Sequence, residues 1–187
     1  MTALDRFLQN YRIDQARPFI AKGSRVLDLG SADGVLFARH GQCGPGSMGI
    51  DPILPSNTKT PQGFSMIRGY FPQDLPADAG PFDAIVMLAV LEHFPNDLHS
   101  TLAAGVARFL KPGGRLIITV PSPAVDKILE ILVVLRLVHG MSLEEHHGFD
   151  INQTPEIFAP LLFKLVKRVS FQLGLNNLFV FERTGSK

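Results

Sequence analysis

The sequence predicts an α/β domain with seven strands in a mostly parallel sheet, closed by an antiparallel hairpin and carrying helices on both faces. Three observations predict this. Short apolar runs alternate with segments of helical spacing through most of the 187 residues. One run, FDAIVML from Phe82, is almost continuously apolar, as a strand buried on both faces must be. The last two runs are separated by GLNN, which is too short for a crossover, so they must pair antiparallel.

Taken in order, Leu4 to about Ile20 has apolar residues at helical spacing and reads as a leading helix lying against the domain. SRVLDLG from Ser24 is the first strand, and DGVLFARHG is a short helix stopped by Gly41 and the turn-forming QCGPGS. SMGID, ending at Asp51, is the second strand. PILPSNTKTPQG then carries prolines at 52, 55 and 61 and no helical period, so a loop is expected where such a chain normally crosses over through a helix. FSMIRG and FDAIVML are the third and fourth strands, helical spacing resumes from Asp97 to Leu110, and LKPGG turns into a fifth strand, RLIITV. Helices are expected over about Ala124 to Val138 and from Thr154 to about Phe163, before the strands RVSFQL and NLFVFER.

The length and the 45% hydrophobic content suit one domain over 1–187, in which 1–22 forms the leading helix and 124–153 a lid-like insert. Eighteen basic against seventeen acidic residues, with no run of either sign, give no electrostatic case for binding nucleic acid. A single cysteine, Cys43, fits a reducing cytoplasm, and it reads as a small packing residue. The amino terminus carries charge throughout and lacks the apolar core of a signal peptide. ILEILVVLRLVHG contains Glu130 and Arg136 and falls short of the ~20 residues a bilayer span needs, so no transmembrane segment is expected.

The loop VLDLGSADGVLF turns from a buried strand into a helix, where it either meets a nucleotide-containing ligand or uses its glycines for packing alone. A dinucleotide fingerprint requires Gly-x-Gly-x-x-Gly, the second glycine admitting a pyrophosphate and the third permitting close helix packing. From Gly30 the chain supplies Ala32 and Val35 at those two places, which weakens a nicotinamide-dependent oxidoreductase reading. Asp51, 21 residues beyond Gly30 at a strand end, suits the two hydroxyls of a ribose under either nucleotide reading.

Asp28, Gly30, Ala32 and Gly34 instead place an acid and small residues at alternate positions. This resembles the first motif of class I S-adenosylmethionine-dependent methyltransferases, with alanine for the middle glycine. FDAIVMLAVLEHF resembles that family's fourth-strand motif with its Leu-Glu-His, and LKPGGRLIITVPSP its turn and fifth strand. The resemblance implies a Rossmann-like methyltransferase fold with S-adenosylmethionine as cofactor. Asp28, Gly30, Ser31, Ala32 and Gly34 would serve the amino acid end, Asp51 and Pro52 the ribose, and Leu88 and Ala89 the methionine end through their backbone. Tyr70 stands where the family carries an acid for the adenine amino group. Either Tyr70 or Phe71 packs on the adenine while a backbone group reads its edge, which is the preferred reading, or Asp74 reads it from an altered loop.

Methyl transfer requires proximity and orientation, and a base only if the acceptor loses a proton. His93 is the candidate catalytic base, with a structural role at a helix start as its alternative; His146 and His147 are further substrate-side candidates. Histidine spacing gives no metal site. The apolar helix 124–138 is ordinary core, a homodimer contact, or a lid over an apolar acceptor, as in the quinone-biosynthesis methyltransferases the chain resembles; a membrane-surface role ranks last for want of a basic face. A methyltransferase-like binding module without turnover is the alternative to an enzyme.

Overall fold

The computed structural model describes residues 3–122, 149–158 and 162–185. Helix α1 (Ala3–Ala16) runs through a 3-10 turn (Arg17–Phe19) to β1 (Val26–Leu29), α2 (Val35–His40) and β2 (Met48–Asp51). The strands β3 (Thr58–Lys59), β4 (Ser65–Arg68) and β5 (Phe82–Leu88) follow. Two 3-10 turns, Leu91–His93 and Asn96–Leu98, then lead to α3 (His99–Phe109) and β6 (Leu110–Pro121). Helix α4 (Gln153–Phe158) and the hairpin strands β7 (Phe163–Phe171) and β8 (Asn176–Arg183) complete the described chain.

The strands form one sheet in the order β3-β4-β2-β1-β5-β6-β8-β7. β4, β2, β1, β5 and β6 are mutually parallel; β3, β7 and β8 are antiparallel to their neighbours. The chain leaves β1 toward β2 on one side and returns to β5 on the other, so the strand order reverses between β1 and β5. Crevices for ligands open at the carboxyl ends of such strands.

Alternation along the strands builds two cores. Leu27, Leu29, Ile85, Met87, Leu116, Ile118, Phe179 and Phe181 point to one face, where Leu102, Val106 and Phe109 of α3 and Phe158 of α4 cover them. Val26, Ala84, Val86, Ile117, Leu178 and Val180 point to the other, against Ile13 and Ala16 of α1 and Leu36 and Phe37 of α2. Both faces are therefore buried, which is why the central strands carry no polar stripe.

Four expectations are corrected. The sheet has eight strands, because Thr58–Lys59 folds back on Ser65 and Met66 inside the proline-rich loop. Both residues are exposed, so this pair shows no apolar alternation in the sequence. Phe163 opens β7 rather than closing a helix, since its side chain enters the core against Phe158 at 5.9 Å. β7 begins five residues before RVSFQL, because Lys164 to Arg168 lie on the sheet edge with both faces exposed and show no alternation. The tight turn is Gln172–Leu175, with Asn176 and Asn177 already paired in β8. The expected insert 124–153, its helix 124–138 and the dimer contact assigned to that helix lie almost wholly outside the described residues.

Candidate cofactor site

Two loops meet where the strand order reverses. The first follows β1: Gly30 donates its amide to the Ile50 carbonyl at 2.9 Å, and Gly34 donates to Ser31 O at 2.8 Å before capping α2. Gly30 has φ +71, and a Cβ there would lie 2.4 Å from Val90 Cγ2, a residue of the second loop. The second follows β5: Ala89, with φ +56, donates its amide to Thr119 O at 2.9 Å and to Thr119 Oγ1 at 3.1 Å. Val90 packing onto Gly30 locks the two loops together.

Ala32, at φ +40, is also left-handed, and its amide donates to Asp51 Oδ2 at 2.8 Å. Asp51 Oδ1 accepts from Ile53 N at 2.9 Å. The carboxylate is thus oriented by two backbone amides, and each oxygen keeps lone-pair capacity for a further donor. Asp51 is buried, and Pro52 beside it is exposed.

Asp28 is buried at the middle of β1. Burial pushes its carboxyl well above the ordinary range, and the charges of Asp51 and Asp33 add to the effect. Among the described residues no group of histidine, cysteine or carboxylate side chains is placed to hold a metal ion. Ser31 Oγ is buried here without a hydrogen-bond partner, and a Cβ on Gly49 would come within 2.5 Å of it.

At the end of β4, Tyr70 turns outward and is 67% exposed, while Phe71 is buried with its ring 5.9 Å from that of Phe109. Phe71 therefore belongs to the core. Asp74 folds back so that Oδ2 accepts the Tyr70 amide at 2.7 Å. These residues, with Phe94, Leu98 and Thr101, line a cavity of about 310 Å³ beside the crevice. A larger cavity of about 530 Å³ lies at the opposite edge, at the amino ends of β1, β5 and β6, facing none of these loops. Its Lys111 is paired with Asp83 at 2.6 Å.

His93 is exposed on the 3-10 turn beyond β5, and Glu92 beside it is buried. His146 and His147 lie outside the described residues. The sequence reading singled out neither Thr119 nor Arg12, which the fold brings to this edge. Arg12, on α1, donates Nε–H to Asn176 Oδ1 at 3.2 Å; burial lowers its pKa, and the charge of Glu92 acts in the opposite sense. His99 approaches the Phe94 carbonyl with Nε2 at 3.2 Å and stacks edge-on against Phe149. Nothing in local spacing marks Arg12 or Thr119, because they meet Asn176 and Ala89 only across the fold.

A family model described as a methyltransferase domain matches residues 4–154, most of the chain. The chain belongs to the methyltransferase-domain family. Among relatives, this methyltransferase domain is 31% identical over 121 residues to a ubiquinone biosynthesis O-methyltransferase of Maricaulis maris, covering 60% of this chain and 46% of that protein. It is 32% identical over 105 residues to a protein of the same description from Xanthomonas axonopodis pv. citri, covering 52% and 43%. The chain thus spans less than half the length of these relatives.

Solved structures share the fold of this methyltransferase domain. The N-methyltransferase NodS from Bradyrhizobium japonicum superposes with a TM-score of 0.67 at 17% identity, over 97% of this chain and 99% of that one. Magnesium protoporphyrin IX methyltransferase from Synechocystis, with bound SAH, gives 0.64 at 18% identity, over 96% and 85%.

Proposed function

We propose that the chain is an S-adenosylmethionine-dependent methyltransferase acting on a small, apolar acceptor through oxygen. The observation that carries this reading is the Asp51 carboxylate, buried at the end of β2 and oriented by the amides of Ala32 at 2.8 Å and Ile53 at 2.9 Å, beside the buried Asp28 of β1. Buried beside other acids, Asp28 gives up its proton reluctantly, and a ligand cation offsets that cost: S-adenosylmethionine carries an ammonium and a sulfonium, whereas a dinucleotide pyrophosphate adds further negative charge. The residues present fit it: a buried carboxylate for the ammonium, a pre-oriented Asp51 for the ribose, and two loops whose backbones approach closely.

When bound, the cofactor supplies a methyl group already activated on sulfur. The chain's own residues bind and orient. Asp28 holds the amino group, Asp51 accepts from ribose hydroxyls, and the Leu88–Ala89 backbone borders the methionine end. His93 takes the acceptor proton on an imidazole nitrogen as the new bond to oxygen forms. The names of the O-methyltransferase relatives support the oxygen acceptor.

Titration calorimetry with S-adenosylhomocysteine tests the binding half. Saturable binding weakened roughly 10- to 100-fold by Asp51→Ala is expected, from the loss of hydrogen bonds to a charged group. No heat at millimolar ligand would sink the reading. For transfer, the full chain with radiolabelled S-adenosylmethionine and a panel of hydroxylated apolar aromatics should label an acceptor, and His93→Asn should lower kcat without moving cofactor affinity. Tyr70 in place of the family's acid favours a second reading, a binding module without turnover. Cofactor binding with no labelled acceptor across the panel would select it.

A further inference from the structure

We propose that Thr119, on the central strand β6, is a positioning residue that sets the geometry of the cofactor crevice by holding Ala89 in its left-handed conformation. The inference rests on the proposed cofactor reading and assigns a role to a residue that itself lines no part of the crevice named above.

Four non-glycine residues have positive φ among the described residues: Ala32, Ala89, Gln172 and Leu173. Gln172 and Leu173 form a hairpin turn, where such conformations are ordinary. The other two sit in the two loops that meet between β1 and β5. Each has its amide tied to a side-chain acceptor on a neighbouring strand: Ala32 to Asp51 Oδ2 at 2.8 Å, Ala89 to Thr119 Oγ1 at 3.1 Å. A left-handed alanine persists only where its surroundings over-determine it, and such residues cluster at ligand sites.

The surroundings of Ala89 are legible. Thr119 is fully buried and lies opposite Leu88 in the parallel register of β5 and β6 and opposite Leu178 across β8. It cannot move without disturbing three strands. Its carbonyl would be present whatever the side chain; the hydroxyl is the part the sequence chose. Ala89 held this way turns Val90 onto Gly30, where the absent Cβ leaves room for it. The hydroxyl of Thr119 thereby acts on the first loop as well as the second, and the crevice between them is formed before any ligand arrives.

The test uses the full chain and S-adenosylhomocysteine as probe, with affinity measured by calorimetry and stability by thermal unfolding. Thr119→Val keeps the shape and the methyl group while removing the acceptor, and should weaken binding about 10-fold, the order expected for one buried hydrogen bond and a relaxed turn. Thr119→Ser keeps the acceptor and should bind within 2-fold of the parent. Ala89→Gly placed on Thr119→Val removes the alanine's reason to leave the left-handed region, and should recover at least half of the lost affinity on a logarithmic scale. Thr119→Ala, with the same expectations, serves if the valine variant does not fold.

A merely structural role predicts a different set of results. A lower unfolding temperature with affinity held within 2-fold in Thr119→Val overturns the proposal. Equal weakening in the serine and valine variants, or no recovery with Ala89→Gly, also overturns it. A parent chain that fails to bind the probe removes the cofactor reading and this inference together, whereas a binding parent with an indifferent valine variant removes this inference alone.

Discussion

At the residue scale, Gly30 and Asp51 illustrate two kinds of constraint on the same loop. Gly30 is fixed twice, by φ +71 and by a Cβ position 2.4 Å from Val90. Gly113 shares the backbone constraint at φ +75 but faces open space. Alanine at Gly113 should cost about 1 kcal/mol from the left-handed backbone alone. Alanine at Gly30 should cost about 1–3 kcal/mol more, from overpacking against Val90. Urea denaturation of the two variants measures that difference; equal costs would show the contact to be slack. Cys43 gives a second prediction. Burial, with the charge of Asp28, raises its thiol to about 12. Native protein at pH 8 should therefore react with iodoacetamide far more slowly than urea-unfolded protein, read by mass spectrometry.

At the scale of elements, α1 and α2 show how a helix pair is docked and where it is imperfect. Ile13 and Ala16 of α1 bury against α2 and the sheet, and Arg39 clasps Asp14 across the exposed side at 2.5–2.8 Å. That exposed pair contributes little. His40, the last residue of α2, is 4% exposed, and neither ring nitrogen has a hydrogen-bond partner. Burial lowers its pKa, helped by Arg17. A histidine whose folded pKa is depressed takes up its proton more readily unfolded, so its contribution is lost as pH falls below the ordinary value of 6.5. His40→Phe should remove that acid sensitivity and stabilise the fold by about 1–2 kcal/mol, since two desolvated polar atoms disappear. Thermal unfolding from pH 5 to 8 reads both effects, and an unchanged slope would show that another group carries the acid response.

At the scale of the whole molecule, the proposed cofactor reading has Asp28 set stability against binding. Its carboxyl is raised by burial and by its acidic neighbours, so the folded state keeps the proton longer than the unfolded chain. The stability it contributes is present below about pH 4 and is lost as pH rises through its raised value. Asp28→Asn should therefore unfold at a higher temperature at neutral pH, by about 2–4 °C for each kcal/mol recovered, while weakening the cofactor. In the parent chain, S-adenosylhomocysteine at a hundredfold excess over its Kd should add about 2.7 kcal/mol; the asparagine variant should lose most of that gain at the same ligand concentration. A variant that is both less stable and still protected by ligand would contradict the assignment of Asp28 to the ammonium.

The sequence by itself determined the order of strands and helices, the antiparallel closing hairpin and the family, because these rest on periodicity and on contiguous motifs such as VLDLGSADG and LKPGGRLIITVP. FDAIVML coincides residue for residue with β5, since burial on both faces leaves Asp83, near its start, as the one polar residue. The edges escaped it: β3 and the first half of β7 are exposed on both faces and carry no alternation. Tertiary structure alone decided which side chains confront one another across strands. Phe71 packed its ring against Phe109, Asp74 turned back onto Tyr70, and Thr119 came to lie under Ala89. Phe71 meets Phe109 38 residues away and Thr119 meets Ala89 30 residues away, so local spacing does not encode these pairings; Asp74 and Tyr70 are only 4 apart, and their contact depends on how the turn between them folds. For the long-range pairs the physical reason is that a motif fixes what the backbone does in its own turn, whereas the partner of a side chain is fixed by the packing and register of elements the motif does not contain.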